Sequence, residues 1–295
     1  TPKTHPSIGF NIQGPSLIQV PDWVVNPLGR YYLYFADHKG SYIRLAYSNE
    51  LTGPWFIYEP GSLHLCNSLF LTDSPAAPCE ATTDFELAYS PSVGRSHSFH
   101  IDASTPHIAS PDVHIDDKSK RIVMYFHGLE SYAKQVTRVA TSTDGIDFTV
   151  LPEILGSSYF RVFQHGVWSY ALAMPGQLYR SHDGLRGFER GPILFNPNMR
   201  HSALFIRNSA LQVFWTEVGQ SPETILHSTI DLSNDWMDWK ESSPVEILRP
   251  EFSWEGADAP LTPSVRSTAY GHVNQLRDPA VYVENEKVYL LYAVA

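Results

Sequence analysis

The chain alternates short apolar runs with short polar turns, and no long segment follows the helical period of 3.6 residues. Runs of about four to eight apolar residues bounded by turn residues are typical of buried strands. Many runs are rich in aromatic and β-branched residues, which favour strands, as in Tyr31 to Phe35 and Val288 to Tyr292. The pattern predicts an all-β protein.

One unit recurs along the chain: a short apolar strand, often entered through a Pro, then an aromatic strand, a third strand that ends in Ser, and a turn before an aromatic residue. Asp144-Gly145 and Asp183-Gly184 supply the positive φ that tight hairpins need. Units of four short strands, at roughly 40 to 50 residues each, are typical of β-propellers. We therefore predict a single five-bladed β-propeller domain over residues 1–295.

The fifth unit is short, because the chain ends after its second strand. Either the N-terminal segment closes that blade or its outer strands are absent from this chain. Two long insertions also interrupt the repeat, at about residues 59–106 and 249–272. Loops of this length inside a compact domain are usually functional or disordered. The first contains both cysteines, Cys66 and Cys79, for which a disulfide and two free thiols are both open interpretations.

Composition excludes several classes of partner. The 31 Asp and Glu against 21 Lys and Arg give a net charge of −10, and no basic cluster marks a nucleic-acid or anionic-membrane surface. The longest apolar run, residues 288–295, is too short to span a bilayer. We expect a soluble protein without nucleic-acid or membrane partners. The sequence does not distinguish a secreted or periplasmic location from a cytoplasmic one, and it leaves the oligomeric state open.

The aromatic strand Tyr31 to Tyr34, the strand Leu45 to Ser48 and the turn Leu51 to Trp55 resemble the five-bladed propeller glycosidases, with glycoside hydrolase family 43 as the nearest likeness. The resemblance covers most of the chain and implies the propeller fold and a carbohydrate substrate. Arg277-Asp278-Pro279 resembles the Arg-Asp-Pro motif of related fructan-hydrolysing families, although it lies in the last blade rather than a middle one.

The resemblance does not extend to the catalytic triad. In that family a general-base Asp precedes a Pro in the first blade, a second Asp-Pro lies in the next, and a general-acid Glu sits on a later inner strand. This sequence has Gln13-Gly14-Pro15, Ser110-Pro111 and Tyr159-Phe160-Arg161 at those points. The family's triad is therefore not matched.

The resemblance also leaves open an axial Ca²⁺ or other divalent metal held through a His and waters. No His-x-x-x-His or Glu-x-x-His spacing supports a metal site, so we assign no metal ligand and no certain cofactor.

Propeller topology selects candidates without any family residue. The start of each inner strand and the loop between the second and third strands open on the same face, because antiparallel strands alternate direction. The candidate catalytic residues there are Asp37, Asp112, Glu217, Asp278 and His127. The candidate substrate-binding residues are Gln13, His38, His107, Arg161, Arg200, His201, Asn274, Gln275 and Arg277.

Each candidate also has a structural interpretation. Asp278 could pair with Arg277, Asp112 could cap a turn, and the arginines could bridge neighbouring blades. Glu255 and Asp258, in the second insertion, could instead reach over the pocket as a lid.

We expect a carbohydrate-active enzyme that hydrolyses a glycosidic bond of a short or terminal glycan by Asp/Glu acid-base catalysis, which requires two carboxyl groups about 5 to 10 Å apart. A His/Arg-based lyase or other non-hydrolytic enzyme acting on an anionic sugar is the first alternative. A catalytically inactive glycan-binding propeller is the second. In each case the partner is a small molecule or an oligosaccharide.

Overall fold

The computed structural model describes residues 5–9, 11–78 and 93–294, and Cys79 lies outside this part of the chain. Five antiparallel sheets follow one another in chain order. The first contains β1 (Gln13–Gln19), β2 (Tyr31–Ala36), β3 (Tyr42–Ser48) and β4 (Phe56–His64). The second contains β5 (Ile108–Asp116), β6 (Arg121–Ser131), β7 (Lys134–Ser142), β8 (Thr149–Val150) and β9 (Gly156–Ser157).

The third sheet contains β10 (Arg161–His165), β11 (Trp168–Ala173), β12 (Gln177–Ser181) and β13 (Glu189–Ile193). The fourth contains β14 (Met199–Arg207), β15 (Ala210–Glu217), β16 (Ile225–Asp231) and β17 (Val245–Leu248). The fifth has two strands, β18 (Arg277–Glu284) and β19 (Lys287–Ala293). One α-helix, α1 (Phe99–Ser104), and four 3₁₀ helices complete the described elements: Pro6–Ile8, Leu65–Asn67, Trp236–Asp238 and Ser253–Glu255.

The first strand of every sheet faces a common axis. β1 contacts β5 and β18, and β14 contacts β10 and β18. The remaining neighbours, β5 and β10, are joined by two hydrogen bonds: Val162 N–H donates to Asp112 Oδ2 (2.8 Å), and Arg161 Nη1 donates to the Pro111 carbonyl (2.8 Å). The inner strands therefore form a closed ring, and the fold is an all-β propeller.

Apolar layers fill the space between neighbouring sheets. Residues such as Tyr34 and Met124 pack the first sheet against the second, and Leu172 and Trp215 pack the third against the fourth. Because each sheet has a neighbour on both faces, its central strands are apolar on both sides rather than alternating. This explains the continuous aromatic and apolar runs of the repeat.

The backbone turns sharply where each inner strand begins. One residue at each start has a positive φ, and these are Gly14 (59°), Ser110 (52°), Tyr159 (67°), His201 (47°) and Asp278 (49°). The strand register shifts at four of these points, as expected for β-bulges, and Tyr159 lies two residues before β10. Positive φ in non-glycine residues costs about 1–3 kcal/mol and clusters at functional sites. The strain therefore marks one end of the axis.

The two insertions meet above that end of the axis. Arg95 and Arg266 form an isolated parallel β-bridge, in which Arg266 N–H donates to the Gly94 carbonyl (2.9 Å). The side chains of Tyr270 and His97 add a hydrogen bond (2.7 Å between Oη and Nε2). The segment before α1 and the segment after the 3₁₀ helix Ser253–Glu255 are thus held together.

Residues 5–9 of the N-terminal segment do not pair with the fifth sheet. Ile8 packs instead on Phe35 and Ala46 of the first sheet. Of the two expected ways to close the last blade, closure by the N-terminal segment is therefore not observed in residues 5–9.

Cys66 is exposed to solvent. Among the residues described, no helix is long and apolar enough to cross a bilayer.

Candidate active site at the propeller axis

A cavity of about 90 Å³ lies at the strained end of the inner strands, below the joined insertions. Residues from the inner strands, from the β2–β3 loop, from β6 and from both insertions form its wall. Six sequence-predicted site residues line it: Gln13, His38, His107, His127, Arg200 and His201. The wall also contains residues that sequence reasoning missed, among them Lys39, Arg95, Asp102, Gln135, Tyr159 and Arg266.

Tyr159 joins the cavity to a buried polar cluster behind it. Its hydroxyl donates to Asp278 Oδ1 (2.8 Å) and accepts a hydrogen bond from Arg161 Nη2 (3.1 Å). His201 Nε2 lies 3.6 Å from the same Asp278 oxygen. Asp278 and Arg161 do not line the cavity themselves, so Tyr159 and His201 separate Asp278 from it.

Burial dominates the protonation of this cluster. Desolvation raises the pKa of Asp278 above its usual value, although the Tyr159 hydrogen bond and the nearby arginines partly oppose the shift. Desolvation and the neighbouring Asp278 carboxylate likewise raise the pKa of Tyr159 well above its usual range. Burial therefore makes the charged form of either side chain costly in free energy.

The cavity histidines are neutral at physiological pH. Desolvation lowers the pKa of His107 to about 3, and burial together with nearby cationic side chains and neighbouring histidines lowers those of His38, His127 and His201 well below the ordinary value. His107 Nδ1 donates to the Thr105 carbonyl (2.8 Å), which places its proton on Nδ1. Buried His127 Nδ1 has no hydrogen-bond partner among the described residues. Neutral imidazoles can donate to and accept from ligand hydroxyl groups.

The arginines are engaged within the protein. Arg200 forms a bidentate pair with Glu223, with Nε at 2.9 Å from Oε1, and Arg277 Nε lies 3.4 Å from Glu223 Oε2. Arg161 donates to the carbonyl groups of Pro111 and Ser202. Glu223 is buried just before β16, and the pair with Arg277 links the fourth sheet to the fifth. These contacts therefore agree with the interpretation of the arginines as bridges between neighbouring blades.

The remaining candidate acids lie elsewhere. Asp37 Oδ2 is 3.7 Å from Arg44 Nη2, and Asp37 does not line the axial cavity. Glu217 lines a different cavity beside the second insertion. Asp112 faces a third cavity of about 130 Å³, the axial channel between all five inner strands, where it pairs with His114 (2.8 Å). It bridges β5 to β10 rather than capping a turn.

Other predicted residues support the insertions or the inner strands. Asn274 Nδ2 lies within hydrogen-bonding distance of the Ala257 and Ala259 carbonyls, and buried Gln275 forms an isolated bridge with Glu223. Glu255 accepts a hydrogen bond from Tyr292 Oη (2.6 Å), while Asp258 pairs with His272 (2.7 Å) at the surface. Neither Glu255 nor Asp258 lines the axial cavity, so neither forms a lid over it.

Two positions at which the family resemblance implies acids cannot supply them here. An added Cβ at Gly14 would lie 2.6 Å from Ser110 Cα, and Gly14 also has a positive φ. At the second position Ser110 Oγ donates to Gln13 Oε1 (2.7 Å). The inner strands of the first two sheets therefore contribute an amide and a hydroxyl to the cavity wall where the family has carboxyl groups.

Asp102 is the carboxyl group that lines the cavity among the described residues. It lies on α1, which Ser98 caps through its side chain, and its Oδ2 is 3.5 Å from Arg95 Nη1. Its buried Oδ1 has no hydrogen-bond partner within the described part of the chain. The sequence carried no signal for Asp102, because an insertion has no repeat to align. Tyr159, in contrast, occupies the same position in its unit as Ser110 and Asp278.

The cavity does not fit the divalent metal that the resemblance left open. Within residues 5–9, 11–78 and 93–294, no three His, Cys, Asp or Glu side chains are arranged to hold a metal ion. The histidines also lie beside Lys39 and Arg200, whose positive charges disfavour a second cation nearby.

The closed ring of inner strands defines this protein as an all-β propeller. It is similar to the crystal structure of a thermostable family-43 glycoside hydrolase, with a TM-score of 0.57 and 13% identity over 96% of this chain and 83% of that one. It is also similar to the Bombyx mori family-32 β-fructofuranosidase BmSUC1, with a TM-score of 0.57 and 13% identity over 95% of this chain and 54% of that one. These similarities confirm the propeller fold.

No protein-family model matches the chain. A curated relative does: the uncharacterized protein R118 of Acanthamoeba polyphaga mimivirus is 33% identical over 313 residues, covering 97% of this chain and 81% of the viral protein. The chain belongs to the same family as R118.

Proposed function

We propose that the protein is a carbohydrate-active enzyme that hydrolyses a glycosidic bond of a short or terminal glycan in the axial cavity. One observation carries the proposal: Asp102 of α1 lines the cavity, and a second carboxyl group, Asp278 of β18, lies behind it and accepts a hydrogen bond from the cavity residue Tyr159. Glycoside hydrolysis needs two carboxyl groups with different protonation states around the bond. The likeness of the fold to glycosidases is consistent with this function.

Asp102 is the proposed acid/base. Its unpaired Oδ1 can give a proton to the leaving oxygen and later take one from water, which are the roles of the acid/base residue in a glycosidase. Gln13 and the neutral histidines His107, His127 and His201 suit the remaining task. They can orient sugar hydroxyl groups, which both donate and accept hydrogen bonds.

The first test measures glycoside turnover. The wild-type protein is assayed on aryl glycosides of common pentoses, hexoses and fructose and on polysaccharides, by release of the aryl group or of reducing ends. We expect Asp102→Asn and Asp278→Asn each to lower kcat by about 10²–10⁴-fold. Asp231→Asn, which changes an exposed acid at the end of β16, should retain the wild-type rate. Wild-type rates in both Asp102→Asn and Asp278→Asn would refute the proposal.

A second candidate function is elimination from an anionic sugar, favoured by the unpaired Nδ1 of neutral His127 in the cavity. Such a nitrogen could accept the proton that elimination removes. The two reactions give different products from polygalacturonate, because only elimination produces an unsaturated uronate that absorbs ultraviolet light. Binding of a glycan without turnover of any substrate would instead identify a binding propeller.

We also propose that residues 1–295 form one five-bladed domain, with the β18–β19 sheet as the fifth blade. The position of β18 between β1 and β14 supports this arrangement. A single unfolding transition followed by both tryptophan fluorescence and circular dichroism is expected. Separate transitions for the two halves of the chain would contradict it.

A further inference from the structure

We propose that Tyr159 is the nucleophile of the proposed hydrolysis and that Asp278 is the base that takes its proton. This inference rests on the proposed function and adds the group that attacks the sugar. It departs from a scheme in which a carboxylate attacks directly.

The order of the side chains along the axis carries the inference. Tyr159 lines the cavity, whereas Asp278 lies behind it with its Oδ1 bonded to the Tyr159 hydroxyl. A substrate in the cavity therefore meets the Tyr159 side chain before it meets the carboxylate. Direct attack by Asp278 would first require displacement of Tyr159 from a hydrogen bond of 2.8 Å.

The hydrogen bonds around the phenol match those of an activated nucleophile. The hydroxyl proton points to Asp278, and Arg161 Nη2 donates to the same oxygen at 3.1 Å. A phenol oxygen that makes one donor and one acceptor bond still has a lone pair. A nucleophile that is hydrogen-bonded to its base is a general arrangement in covalent catalysis. The Arg161 guanidinium also lies over the Tyr159 ring, 4.5 Å from its centroid, and would stabilise a developing phenolate.

The site also holds the ring in place. Tyr159 has a φ of 67°, a strained value for an aromatic residue, and the rings of His127 and His201 flank it at 6.1 and 5.3 Å between centroids. Such strain persists only where the surrounding structure imposes it, and it is typical of functional sites.

The reaction balances in two steps. In the first, the Tyr159 oxygen bonds to the anomeric carbon as the glycosidic bond breaks; the phenol proton passes to the Asp278 carboxylate, and the leaving oxygen takes the proton of Asp102. In the second, water attacks the anomeric carbon and gives a proton to the Asp102 carboxylate. The bond to Tyr159 breaks as the water oxygen bonds to that carbon, and the phenol oxygen recovers its proton from Asp278. No oxidant, reductant or metal is needed.

The test traps the covalent intermediate. The protein is incubated with 2,4-dinitrophenyl 2-deoxy-2-fluoroglycosides of xylose, arabinose, galactose and glucose. With these substrates the second step, hydrolysis of the covalent intermediate, is slow. Intact mass and peptide mapping then locate the added sugar. We expect one sugar per chain, attached to Tyr159. Tyr159→Phe should form no adduct and lose at least about 100-fold in kcat, and Asp278→Asn should slow adduct formation by about the same factor.

Tyr125→Phe is the matched control. Its hydroxyl is also buried, donates to the Gly184 carbonyl at 2.8 Å and does not line the cavity, so this variant should form the adduct at the wild-type rate. A sugar attached to any residue other than Tyr159, or turnover of glycosides without an adduct, would overturn the assignment and leave the proposed function intact. Neither turnover nor an adduct would overturn both.

Discussion

Asp278 is a carboxyl group whose burial costs free energy when it is charged. It is 2% exposed at a strained backbone position, and burial raises its pKa. A raised pKa in the folded state means that its protonated form suits the native structure better than its charged form. Asp112, on the inner strand of the second sheet, has the opposite shift. Burial alone would raise the pKa of Asp112, but attraction to His114 and hydrogen bonding lower it.

Asp278→Asn should therefore stabilise the protein at neutral pH, because it removes a buried charge and leaves an oxygen that can accept the Tyr159 proton. The gain is about 1.4 kcal/mol for each unit by which the pKa is raised. Since the native protein keeps its full stability only below the unfolded pKa, near 3.8, the gain should shrink as the pH falls toward that value. Urea unfolding of the wild-type protein and of Asp278→Asn at several pH values measures this gain in stability.

Asp112→Asn is the paired comparison and should destabilise the protein at neutral pH. The stability that a lowered pKa contributes is present above the unfolded value of 3.8 and is lost as the pH falls through the folded pKa. A loss of stability in Asp278→Asn as large as that in Asp112→Asn would show that Asp278 serves the fold rather than the cavity.

At the level of elements, Glu223 joins the last two sheets. It is fully buried just before β16, where it pairs with Arg200 of β14 and Arg277 of β18. Burial alone would raise the pKa of Glu223, but attraction to the two arginines lowers it. Its contribution to stability is thus present above its unfolded value of 4.5 and is lost as the pH falls through the folded pKa.

Glu223→Gln should lower the free energy of unfolding by about 3–5 kcal/mol at neutral pH, because it leaves two arginines buried without a carboxylate. Glu246→Gln breaks an exposed ion pair with Arg249 and should change the free energy of unfolding by less than about 0.5 kcal/mol. Denaturant unfolding compares them. Equal effects would mean that solvent reaches the Glu223 site and screens its charges.

The strands could be predicted from sequence because each sheet packs between two others and leaves a regular pattern. The predicted strand Tyr31 to Phe35 agrees with β2 to within one residue, and the predicted strand Leu45 to Ser48 lies within β3. The same repeat located the inner-strand residues of the cavity, such as Gln13 and His201. Residues of the insertions were missed, since contacts such as the bridge from Arg95 to Arg266 join distant segments that share no period.

For the molecule as a whole, the net charge of −10 does not describe the cavity. Lys39, Arg95, Arg200 and Arg266 line it, with Asp102 as its acid among the described residues. Positive charges close to buried imidazoles disfavour their protonation, and desolvation acts in the same direction. The native state therefore excludes protons from these histidines, and the unfolded chain does not.

This difference should make the protein sensitive to mild acid. His107, His127 and His201 are buried with lowered pKa values, and each gains a proton on unfolding once the pH falls below about 6.5. Each such group decreases the free energy of unfolding by about 1.4 kcal/mol per pH unit near pH 5. His107→Gln should reduce that slope by about 1.4 kcal/mol per pH unit. An unchanged slope in His107→Gln would mean that His107 is protonated in the native cavity.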